Sequence, residues 1–135
     1  MRMIMFTRHG NGHEPKLKFV FLVYATRRSM RLALKRICQQ HAGLTWRKSE
    51  VGSCICVHST NTYLWTSYIY LNRRDLGSGY VAHEIFHAVI CAMEILHPKR
   101  LIVADDRRHE KAARLIGHLT RMFWNWWYDD DKDNA

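Results

Sequence analysis

The chain has 135 residues, 47% hydrophobic and 24% charged, with a formal net charge of +9 at pH 7 and a pI near 9.7. This balance excludes a disordered polypeptide and fits one folded domain with a core of its own. The longest apolar stretches fall far short of the roughly 20 residues a membrane helix requires, so no membrane span is expected.

Residues 1–15 contain no long apolar run of the secretory type and are expected to form a flexible N-terminal segment of a cytoplasmic protein. Residues 16–25, rich in β-branched and aromatic side chains, predict a buried strand. Over residues 26–40, Met30, Leu32, Leu34 and Ile37 interleave with Arg and Lys, predicting a basic amphipathic helix capped by Thr26 or Ser29. Residues 52–58 and 62–71 read as two strands of an antiparallel hairpin. A helix follows over residues 80–96, stopped at His97-Pro98. The last helix is expected over 106–127, capped by Asp105 or Asp106, with an apolar stripe at Ala112, Leu115, Ile116, Leu119, Met122, Phe123 and Trp126. An acidic tail, 129–135, is expected to fray.

The four cysteines are read as thiols. Cys54 and Cys56 share one face of a strand, while Cys38 and Cys91 lie on helices without metal-type spacing. The basic residues form no dominant run. A solvated surface is the ordinary reading of such charge, and contact with nucleic acid or a host protein the sharper one. Trp124, Trp126 and Trp127 beside Arg121 could stack on bases, yet aromatic residues at helical spacing more often belong to a core.

The chemistry lies in His83-Glu84-Ile-Phe-His87, an H-E-x-x-H pattern that random placement would yield about 0.02 times in a chain of this composition. On a helix, two histidines four residues apart project from one face and can give two nitrogens to one metal ion. Glu84, about 100° further round, can reach a metal-bound water without joining the ligands. The flanking Val81, Ala82, Ala88 and Val89 are uncharged, as a packed helix requires. A third ligand must come from elsewhere, since Ile90 and Met93 occupy the positions where a metzincin has glycine and a third histidine. Glu110 is the leading candidate, with His109, Asp106 and His118 as rivals. Cys91 shares the helix face of His87 and reads first as a packed thiol.

From Glu110 the chain continues with Ala113, Leu115, Gly117 and Leu119, matching E-x-x-A-x-L-x-G-x-L position by position. Paired with the H-E-x-x-H helix, this resembles small phage-encoded zincin-like proteins of the gluzincin type, over about residues 63–123. The resemblance implies a minimal zincin-like α+β domain, with a small, mostly antiparallel sheet packed on an N-terminal helix, the H-E-x-x-H helix and a long C-terminal helix. It implies that His83, His87 and Glu110 bind zinc, that Glu84 is the general base, and that a peptide is hydrolysed, in the host cytoplasm if the protein is phage-encoded. In zincins an edge strand above the metal helix pairs with the extended substrate; strand 62–71 is the candidate, or is equally well an interior strand. Arg114 stands where large gluzincins have an Asp supporting the first histidine, so that support is unassigned. Tyr80, His118 and Arg114 are candidates for stabilising an oxyanion. The competing reading is a non-catalytic zinc protein whose basic surface grips nucleic acid or a host protein.

Overall fold

The computed structural model describes residues 1–8, 16–40, 53–59, 64–96 and 107–133. Strands β1 (Arg2–Arg8) and β2 (Lys16–Tyr24) precede helix α1 (Arg27–Gln40), and strands β3 (Ser53–Ser59) and β4 (Leu64–Asn72) follow it. A 3-10 turn at Arg73–Asp75 then leads to helices α2 (Ser78–Leu96) and α3 (Arg107–Asp133). The fold is α+β, with a four-stranded sheet in the order β1-β2-β4-β3.

The alternation within β2 and β4 explains the layering. Leu17, Phe19, Phe21 and Val23 join Trp65, Ile69 and Leu71 on one face, where they pack with α2 and α3. Val20, Leu22 and Tyr70 face the other way and meet Met30 and Leu34 of α1. The two central strands are therefore covered on both sides, which is why residues 19–23 form an unbroken buried run. Thr26 starts α1 by reciprocal capping: its hydroxyl accepts from the Ser29 N–H at 3.1 Å, and the Ser29 hydroxyl accepts from the Thr26 N–H at 3.3 Å.

The outer strand pairs, β1 with β2 and β3 with β4, are antiparallel, the second as the expected hairpin. The central pair, β2 with β4, is parallel, with Phe19 opposite Ser67 and Phe21 opposite Ile69. The sheet is thus mixed about a parallel centre, because α1 and β3 carry the chain between two strands that run the same way. Strand β4 is interior, so the edge-strand role considered for residues 62–71 does not hold.

Two terminal expectations also change. Arg2–Arg8 is an edge strand rather than a free segment, held by Ile4 and Phe6, with the Phe6 ring edge-on to Phe21 at 5.8 Å. Helix α3 continues through Asp133 rather than ending near 127. Trp124 stacks on Tyr128 one turn later, at 5.6 Å, which supports the extra length. Among the described residues no helix is long and apolar enough to cross a membrane.

Candidate metal centre

The start of α2 is set locally. The Asn72 side chain accepts from the Asp75 N–H at 3.1 Å and closes the 3-10 turn, and the Val81 N–H reaches the Gly77 carbonyl at 3.0 Å. The helix buries Val81, Ile85, Ala88, Val89, Ala92 and Met93, which fixes its rotation about its own axis. With that stripe inward, His83, Phe86 and His87 stand on the exposed side.

There the two imidazoles converge. Their Nε2 atoms are 3.1 Å apart, and the rings lie nearly perpendicular with centroids 4.6 Å apart. Metal–nitrogen bonds of 2.0–2.1 Å at a tetrahedral angle would place two ligand nitrogens about 3.3 Å apart. The pair therefore fits one small metal ion with little adjustment. Phe86, half exposed, lies beside His87 with ring centroids 6.2 Å apart.

Glu84 falls on the seam between the exposed histidine face and the buried stripe and is itself buried. Its neighbour one turn earlier is Tyr80, whose phenol is pushed up from its ordinary range, first by burial and then by the negative charges of Glu84 and Asp75, with Arg27 opposing. Tyr80 is consequently a protonated hydroxyl at neutral pH, close enough to feel the Glu84 charge.

Glu110 is placed differently. It lies in the first turn of α3, exposed, and accepts from Arg114 Nε at 3.1 Å. With Phe6, Arg8, Phe19, Arg114 and His118 it lines a cleft of about 790 Å³ between β1, β2 and α3. Neither His83 nor His87 lines that cleft. Among the described residues no group of three or more His, Cys, Asp or Glu side chains comes together as a metal-holding set. The structure thus unites the two histidines and places Glu84 beside them, while Glu110 and His118 share a separate cleft. Asp105, Asp106 and the His109 side chain lie outside the described residues, as do the Cys54 and Cys56 side chains. Cys38 and Cys91 are half-buried and form no disulfide among the described residues.

The three tryptophans of α3 pack in or against the core. Phe123 is fully buried and packs against Phe21 at 5.1 Å, with Trp124, Trp126 and Trp127 grouped around it. The Arg2 guanidinium lies over Trp127 at 4.1 Å and Trp126 at 5.2 Å. Trp127, rather than Trp126, is the more deeply buried of these two, so the inner stripe of α3 runs Ala112, Leu115, Leu119, Phe123, Trp127. The cleft beside Glu110 was beyond sequence reasoning, because it depends on β1, whose apolar residues Met3, Ile4, Met5 and Phe6 are consecutive and show no clear inner face.

Comparison with protein-family models, curated proteins and solved structures finds no match.

Proposed function

We propose that the chain is a zinc-dependent metallopeptidase centred on the exposed face of α2. The observation that supports this reading is the convergence of the His83 and His87 Nε2 atoms to 3.1 Å, with the Glu84 carboxylate one residue away on the flank of the same helix. In this reading His83 and His87 are two of the metal ligands, and Glu110, which lies in the separate cleft beside β1, completes the set when the start of α3 shifts toward α2. Zinc held there would contribute a Lewis acid and a bound water acidic enough to lose a proton near neutral pH.

The chain's own residues divide the remaining work. Glu84 takes the proton from the attacking water and returns it to the leaving amine. Its burial on the helix seam favours a fixed orientation over a solvated, swinging one. Tyr80, kept protonated, can donate a hydrogen bond on the same side. Strand β3 takes the substrate-pairing role first considered for residues 62–71. It is the edge strand on the α2 side of the sheet, and its outer side pairs with no described strand. An extended peptide aligned there would pair through its backbone and pass near α2.

Elemental analysis of untagged protein beside a His83→Ala/His87→Ala double variant tests the reading. About one zinc per chain, lost in the double variant, is the expected result. Absence of zinc from the wild type after incubation with zinc at neutral pH would overturn it.

A further inference from the structure

A second feature lies on the opposite layer of the molecule. Arg27, Arg28, Arg31, Leu32, Lys35 and Arg74 line a groove of about 600 Å³ along α1. Arg27 is engaged with the Asp75 carboxylate. Arg28, Arg31, Lys35 and Arg74 make no ion pair among the described residues. The Arg31 Nε is shielded from solvent and has no hydrogen-bond partner among them, which leaves the guanidinium's outer nitrogens as the ones that face a ligand in the groove.

The spacing of these cations constrains what they can bind. On a helix turning 100° per residue, positions 27, 28, 31 and 35 fall within an arc of about 100°, and the row from 27 to 35 is about 12 Å long. A single phosphate cannot bridge such a row, whereas a chain of phosphates can follow it. Among the described residues the lining contains no aromatic ring on which a base could stack. Insertion of α1 into a lipid surface is opposed by the full burial of Met30 and Leu34 against the sheet. Arginine forks match phosphate oxygens in bidentate fashion.

We propose that this groove binds the phosphate backbone of a nucleic-acid strand without reading its bases. Arg28, Arg31 and Lys35 contact successive phosphates, and Arg74 closes the end of the groove nearest the sheet. The site shares no residue with the histidine pair, so it stands or falls independently of the metallopeptidase reading.

The test is fluorescence anisotropy with a labelled single-stranded 20-nucleotide DNA of mixed sequence, using the full chain between 50 and 200 mM salt. An Arg28→Ala/Arg31→Ala/Lys35→Ala variant is compared with Lys16→Ala/Arg36→Ala/Arg121→Ala, which removes equal charge from exposed positions outside the groove. Circular dichroism melts establish that both are folded. The groove variant is expected to bind at least tenfold more weakly, with the slope of log affinity against log salt reduced by about 2, since each of three lost contacts contributes about 0.7. The control variant should change less than threefold, and Arg28→Lys/Arg31→Lys should keep most of the binding. No binding at 50 mM salt, equal losses in the two alanine variants, or competition by poly-glutamate or anionic vesicles as effective per charge as unlabelled DNA would each overturn the proposal.

Discussion

Glu84 follows His83 directly, and its offset of about 100° round α2 separates ligation from proton transfer. Because the carboxylate is buried on the seam while the imidazoles are exposed, replacing it should alter chemistry more than metal binding. Glu84→Gln keeps size and hydrogen-bonding capacity but not basicity. It is expected to retain zinc and a thermal midpoint within a few degrees of wild type, while peptide hydrolysis falls by about 10²–10⁴-fold. Activity within a few-fold of wild type would remove Glu84 from the role of base. Glu110 poses a different question, because it sits in the cleft beside β1 rather than with the histidines. Its pair with Arg114 joins two well-exposed side chains four residues apart on one helix, an interaction of only about 0.3–0.5 kcal/mol. That is small against any metal-ligand bond, so the Arg114 pair is no obstacle to ligation, and what separates Glu110 from the histidines is the placement of α3. Glu110→Ala is expected to weaken zinc affinity at least tenfold in competition with a chromophoric chelator, with His118→Ala leaving it unchanged. The reverse pattern would transfer the third ligand to His118. The histidine pair was legible in the sequence because its geometry is set within a single helical turn. Whether Glu110 reaches that pair was not, because it depends on how α3 lies against α2, and H-E-x-x-H carries no information on that packing.

At the scale of elements, the N-terminus of α1 is tied to the turn before α2 by the Arg27–Asp75 pair. The Arg27 guanidinium holds the Asp75 carboxyl down at about 2, against an ordinary 3.8, with help from the Asn72 side chain and despite some desolvation. A carboxyl whose folded pKa is depressed stabilises the fold fully above its unfolded value and loses that contribution as it becomes protonated. The pair should therefore contribute above about pH 4 and fade between about pH 4 and 2. Arg27 is half exposed, so solvent screening keeps the effect modest. Asp75→Asn is expected to lower the thermal midpoint by roughly 2–4 °C at pH 7, and most of the difference from wild type should be gone by about pH 2. A constant difference across that range would mean the carboxylate charge is not responsible. The elements on either side of this pair were legible from periodicity: the apolar run of β2, the alternating bulk of β4, and the stripes of α1, α2 and α3. Strand β1 was not, because Met3 and Met5 are as apolar as Ile4 and Phe6, and only the partner strand selects which pair turns inward. Nor was the parallel pairing of β2 with β4, since a strand buried on both faces carries the same pattern whichever way its neighbour runs.

Across the whole molecule, the histidine pair and the cationic groove lie on opposite sides of one sheet, on helices that reach it through different residues. Helix α2 packs through Val81, Ile85 and Val89, and α1 through Met30 and Leu34. A ligand at either site that binds only the folded chain stabilises the entire fold, because both helices share the core strands β2 and β4. Free zinc at 100 times its dissociation constant would add about 2.7 kcal/mol, which for a domain of this size raises the thermal midpoint by roughly 10 °C. The expected outcome is that rise in wild type and in the Arg28→Ala/Arg31→Ala/Lys35→Ala variant alike, and its absence in His83→Ala/His87→Ala. A single-stranded oligonucleotide should give the converse pattern, stabilising the histidine variant but not the groove variant. Differential scanning calorimetry of the three proteins with each ligand checks both halves. Loss of the zinc response in the groove variant would show that the sites communicate through β2 and β4, in place of the independence argued from their separate packing.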